Sequence, residues 1–86
     1  MRELGDQLTT TEYKDRFLIS VNARCTKLRP PHVWVCDVVV LVNDPLEPGG
    51  EWEVLHRETL HDFTSPQIAA AAGHECATRW VDAASP

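Results

Sequence analysis

The chain has 86 residues, 43% of them hydrophobic and 24% charged, and a formal net charge of −5. That length holds one domain, which buries only about 60–65% of the surface its unfolded chain exposes. No apolar run approaches the roughly 18 residues needed to cross a bilayer, and the acidic total disfavours general affinity for nucleic acid or anionic membrane.

Residues 1–12 are mostly polar and lack a clear period, and they read as a flexible N-terminal arm ahead of a single domain over residues 13–86. The opening Met1-Arg2-Glu3-Leu4-Gly5-Asp6 has no apolar signal-peptide core, so a cytoplasmic, bacterial-type protein is expected. Residues 14–27 alternate: Phe17, Ile19, Val21, Ala23 and Cys25 point one way, and Lys14, Arg16, Ser20, Asn22, Arg24 and Thr26 the other. Only Leu18 is out of place in this half-buried strand. Arg29-Pro30-Pro31 ends it, since neither proline can donate to a ladder, and a connection of about four residues is expected.

Residues 33–43 are β-branched and apolar on both faces, the pattern of a central strand. A hairpin register pairing Ile19 with Val42, Val21 with Val40, Ala23 with Val38 and Cys25 with Cys36 sets core against core. Asn43-Asp44-Pro45-Leu46-Glu47-Pro48-Gly49-Gly50 is the strongest loop signal. A third strand runs from about Glu51 to His61. Its alternation is poor, because Trp52, Val54 and Leu60 share a face with His56 and Glu58 while Leu55 opposes them, so a bulge or an early end to the sheet face is expected.

Phe63-Thr64-Ser65-Pro66-Gln67-Ile68 is a helix start. With Thr64 as N-cap, Gln67 completes a capping box and Phe63 and Ile68 form a hydrophobic staple. With Ser65 as N-cap, Pro66 falls at the first helical position. At 100° per residue, Ile68, Ala69, Ala72, Cys76, Trp80 and Ala83 form the apolar stripe, with Gly73 at its edge. The predicted fold is α+β: a three-stranded antiparallel meander, order 1-2-3, with one C-terminal helix packed on the Phe17/Val21/Val40 face.

The segment Trp52…Phe63-Thr64-Ser65-Pro66…Ala69…Gly73…Ala77…Trp80-Val81-Asp82 resembles the end of small uncharacterised bacterial β-β-β-α proteins, with a capped start, spaced alanines, a glycine and a closing Trp-Ile/Val-Asp. The resemblance covers about the last third of the chain and implies a fold without an assigned activity. More coarsely, the layout resembles HicB-like antitoxin domains, arm-binding domains of integrases and the later part of double-stranded RNA-binding domains. None of their functional residues can be placed here, and the RNA-binding domain's first helix and basic helix start are both missing.

The candidate chemistry is sparse. His56, His61, His74, Glu75 and Cys76 lie close in sequence, but His74 and Cys76 are about 200° apart on a helix, and His56 and His61 face opposite ways on a strand unless a bulge intervenes. No metal site and no cofactor are expected. Cys25, Cys36 and Cys76 are an odd number without a C-x-x-C pair, and they read as free thiols in the core. His56 and Glu58 share a strand face, but no pocket-forming loop surrounds them, so no enzymatic activity is expected.

Two interaction surfaces remain. The central strand points Val33, Val35, Val39 and Leu41, joined by Leu18, at the face opposite the helix, interrupted by Asp37, which needs Arg24 or His56 as a partner. Such a face predicts a non-catalytic protein-interaction or self-association module, with itself as a homodimer or another protein as partner. The arm could instead fold back and cover it with Leu4, Leu8 and Tyr13. The alternative is a nucleic-acid-binding face built from Lys14, Arg16, Asn22 and Arg24, with Lys27 and Arg29 in the loop. It is disfavoured by the net charge and by seven acids in residues 33–63.

Overall fold

The computed structural model describes residues 7–14, 16–27, 29–43 and 52–84. Four antiparallel strands lie in sequence order: β1 (Gln7–Tyr13), β2 (Phe17–Lys27), β3 (Val33–Val42) and β4 (Glu53–Phe63). They are followed by a single helix, α1 (Pro66–Ala84).

The sheet therefore has four strands where the sequence predicted three. The additional strand comes from the stretch read as an arm: Gln7 to Tyr13 pairs without interruption from Gln7↔Ala23 to Tyr13↔Phe17. An edge strand needs β propensity more than two-sided burial, and Thr9-Thr10-Thr11 supplies it with β-branched but polar side chains. The apolar alternation that marks a buried strand is absent. The chain reverses through Lys14, whose φ is 52°.

The β2–β3 register is displaced by two residues from the predicted one. Ile19 faces Val40, Val21 faces Val38, Ala23 faces Cys36 and Cys25 faces Trp34. A shift of two keeps every side chain on its face, so hydrophobic parity cannot distinguish the two pairings. The connection decides between them. It spans residues 28–32, one more than expected, with an irregularity in the ladder between Cys25 and Lys27. The predicted loop over Asp44–Gly50 lies outside the described residues.

On β4 the expected bulge is present, and a second accompanies it. The pairing with β3 shifts between Val40 and Leu41, and again between Trp34 and Cys36. The first shift falls at Leu55 and the second at His61-Asp62, where Asp62 has a φ of 70°. An inserted residue with left-handed backbone is a usual bulge geometry.

The core lies between α1 and one face of the sheet. Phe17, Ile19, Val21, Ala23, Trp34, Cys36, Val38 and Val40 pack against Ala69, Ala77 and Val81. The helix thus sits on the predicted face, but it is rotated from the predicted stripe. Its buried residues are Ala69, Gly73, Ala77 and Val81, while Ile68 is 53% exposed and Ala83 is exposed. Gly73 is central to the contact and not at its edge, because the absence of a side chain lets the helix backbone come down onto β3. The cap is Ser65: its Oγ accepts the Ile68 N–H at 3.1 Å, placing Pro66 at the first helical position. At the other end, Asp82 Oδ1 accepts the Tyr13 hydroxyl at 2.9 Å and meets Lys14 Nζ at 2.6 Å. This ties the β1–β2 turn to the last turn of α1, and Lys14 offsets an acid placed at the negative end of the helix dipole.

Candidate functional site

The helix covers one face of the sheet, and directly paired residues share a face, so the register gives the layout of the other. One row across the strands reads Glu12–Leu18–Leu41–Val54 and the next reads Thr10–Ser20–Val39–Arg57. The third is Leu8–Asn22–Asp37–Thr59, and Arg24 pairs with Val35 beyond it. Of the five predicted face residues, Leu18, Val33, Val39 and Leu41 are half-buried and Val35 is buried. Leu8 on this face is 68% exposed, and Val54, parted by the register shift at Leu55 from the face of His56 and Glu58 with which sequence parity grouped it, is 40% exposed.

The covering arm is not found among the described residues. Leu8 lies in the sheet itself, Tyr13 packs on the helix side, and Leu4 is outside the described residues. The apolar stripe follows β3 and is flanked by Ser20, Asn22, Arg57 and Thr59.

Asp37 interrupts that stripe as expected, and its partner is Arg24. The guanidinium donates from Nε to Oδ2 at 2.5 Å and from Nη2 to Oδ1 at 3.2 Å, and Thr59 Oγ1 donates to Oδ1 at 2.9 Å. His56 points to the opposite face. The Arg24 bond, joined by that of Thr59, holds the Asp37 carboxyl below its ordinary pKa against the opposing effect of burial.

The basic residues do not form one surface. Lys14 and Arg16 lie at the β1–β2 turn, where Lys14 is engaged by Asp82 and Arg16 stacks over the Phe17 ring at 5.9 Å. Lys27 and Arg29 sit at the far end of β2, about 33 Å away for a strand of this length. Between them, Arg24 is neutralised by Asp37.

A second constellation lies on the helix side, beside β4. Glu58 Oε1 accepts the Cys76 thiol at 3.0 Å and meets His56 Nε2 at 2.9 Å, and the His56 ring stacks on Trp80 with centroids 4.8 Å apart. The sequence placed Cys76 in the core. It is instead half-buried and turned toward a carboxylate, because the rotated helix brings Gly73 and Ala77 to the centre of the contact. The His56–Glu58 pairing was legible from its spacing, but its third member required knowing the helix rotation. Burial, then the Glu58 bond, pushes the Cys76 thiol up to about 11. The Cys76 and His56 bonds hold Glu58 below its ordinary value.

Cys36 is buried, and burial raises its thiol above the ordinary range. Half-buried Cys25 packs against the core and donates to the Lys27 carbonyl at 3.1 Å. Among the described residues, no three His, Cys, Asp or Glu side chains are grouped so as to hold a metal ion. Among them too, no helix is long and apolar enough to cross a membrane.

In comparisons with known proteins, the chain matches no family model, no curated protein and no solved structure.

Proposed function

We propose that this protein is a small, non-catalytic association module that works through the sheet face opposite α1, with a second copy of the chain as its first partner. The observation that carries the reading is the one-sided cover. The helix packs on the Phe17/Val21/Val40 face, while Leu18, Val39, Leu41 and Val54 stand on the other with none of the described elements over them. Four strands of about ten residues present a face of roughly 19 by 33 Å, about 600 Å² in projection. Side-chain relief brings this toward the roughly 800 Å² per partner of a standard interface. A two-fold contact needs only one self-complementary patch. The Arg24–Asp37 pair enters such a contact already neutralised within its own chain, which lowers the cost of covering it.

Catalysis has less support. The nucleophile candidate, Cys76, is held as a neutral thiol, and its neighbouring carboxylate already engages two partners. The competing reading, nucleic-acid binding through the basic residues of β2, needs a continuous positive surface, and Asp82 and Asp37 interrupt it.

Sedimentation equilibrium of wild type and Val39→Asp tests the proposal, with circular dichroism as the control for folding. A folded Val39→Asp in a lower association state supports the open face. Equal association in both proteins rejects it. A mobility shift on duplex DNA or RNA in low salt, weakened by Arg16→Ala, would favour the competing reading.

A further inference from the structure

The two edges of the sheet are built differently. β4 is broken by two register shifts, carries Asp62 in a left-handed conformation and bears Glu53, Arg57, Glu58 and Asp62. These are the features by which natural sheets prevent edge-to-edge pairing. β1 has neither a register shift nor a left-handed residue within it. Its ladder to β2 runs unbroken over all seven residues, it contains no proline, glycine or lysine, and Glu12 is its only charge. Among the described residues nothing pairs with its outer side. That side presents alternate backbone N–H and C=O groups in a line about 23 Å long.

We propose that the outer edge of β1 pairs with β1 of a second copy, antiparallel about a two-fold axis at Thr10, joining two four-stranded sheets into one of eight strands. The sequence of the strand matches itself in this register. Thr10 meets Thr10, and Thr9 meets Thr11 of the second copy, giving cross-strand threonine pairs of a favourable kind. Gln7 meets Tyr13, so the full length of the strand is used. Leu8, 68% exposed in one chain, comes opposite the aliphatic stem of Glu12. The two Glu12 carboxylates end four residues apart along the edge, about 13 Å, which exceeds the screening length of roughly 8–10 Å. A second copy fits better than an unrelated extended peptide, because one uninterrupted strand supplies both halves of the contact. The pairing uses the edge and leaves the open face free, so it does not depend on the function proposed above.

Thr9 and Thr11 lie on the helix side of β1, away from the open face, and they face each other only across the proposed axis. Thr9→Lys/Thr11→Lys places lysine opposite lysine twice, whereas Thr9→Lys/Thr11→Glu places lysine opposite glutamate twice. Analytical ultracentrifugation of wild type and both variants, with circular dichroism as the folding control, reads the outcome. The lysine–glutamate variant is expected to associate at least as well as wild type, and the all-lysine variant roughly tenfold more weakly. The difference should collapse at about 1 M salt. Wild type that stays monomeric up to about 1 mM, or two folded variants that associate alike, would overturn the pairing. Val39→Asp added to both variants should leave the edge contrast in place, whereas a folded Val39→Asp that loses all association would overturn the edge pairing, so the two surfaces are told apart.

Discussion

Gly73 in α1 lies directly against the sulfur of Cys36 in β3. A Cβ built on Gly73 would overlap that sulfur and press on Val21 Cγ1 and Val38 Cγ2, each 3.2 Å away. The contact explains a glycine in mid-helix, which costs about 1 kcal/mol against alanine, and it sets the height of the helix above the sheet.

Gly73→Ala should therefore destabilise by about 1–3 kcal/mol through overpacking, in spite of its gain in helix propensity. Gly73→Leu should cost more. Cys36→Ala removes the obstructing atom, so the double variant Gly73→Ala/Cys36→Ala should be less destabilised than the two single effects combined, by about 1 kcal/mol. Urea unfolding of the four proteins measures this coupling. A neutral Gly73→Ala would show that the helix can ride higher without cost.

The Arg24–Asp37–Thr59 cluster predicts the acid limb of stability. Asp37, Glu58 and Asp82 all have folded-state pKa values below their ordinary values of 3.8, 4.5 and 3.8. Their principal causes are the bonds from Arg24, Cys76 and Lys14 respectively. A depressed carboxyl contributes fully above its unfolded pKa and loses that contribution as pH falls through the folded one. The melting temperature should thus hold down to about pH 4.5 and fall below it. Asp37→Asn should flatten part of that fall and lower stability by about 0.5–1 kcal/mol at neutral pH, the small size reflecting solvent around both partners. An acid limb unchanged in Asp37→Asn would assign the loss to other groups.

Parity along β2 and β3 made the core face of the sheet legible, and the proline-bearing start made the helix legible. Three things were not. β1 was missed because Thr9-Thr10-Thr11 carries no apolar period, and a strand at an edge is held by backbone pairing with one neighbour. The register of β2 against β3 was ambiguous by two residues, since Val38, Val40 and Val42 are interchangeable on one face. The helix rotation was blurred because Ala69, Ala70, Ala71 and Ala72 fill every side of one turn, leaving the projection to be set by Ile68 and Trp80. Of these, Ile68 is exposed and Trp80 turns aside to stack on His56. The Cys76–Glu58 bond follows from that rotation and was hidden with it.

Two helix starts overlapped in the sequence, and the structure selects one. Ser65 Oγ accepts the Ile68 N–H, while no acidic residue occupies the first turn to assist it. Ser65→Ala should cost about 1 kcal/mol, and Ser65→Asp should retain or exceed wild-type stability through the same bond and the helix dipole. Thr64→Ala should change stability by a few tenths of a kcal/mol at most. Thermal unfolding of the three variants separates the alternatives: a larger loss for Thr64→Ala than for Ser65→Ala would move the cap.

The Cys76–Glu58 bond predicts how the thiols react. A thiol at about 11 carries roughly a hundredth of the thiolate that an ordinary value of 9.0 gives at pH 8. Alkylation of Cys76 by iodoacetamide should be correspondingly slow at pH 8 and climb about tenfold per pH unit toward pH 11. Glu58→Gln removes the charge that opposes ionisation, so it should speed Cys76 at pH 8 while leaving buried Cys36 protected. Mass spectrometry of labelled peptides reads each cysteine separately. Stability carries the same signature in reverse. Because the folded pKa is raised, the contribution of Cys76 is complete below about pH 9 and is lost as pH rises toward about 11. The melting curve of Cys76→Ala should therefore lie below wild type at neutral pH and converge with it above pH 10. Fast, pH-independent labelling of Cys76 at pH 8 would show that the thiol does not rest on Glu58 in solution.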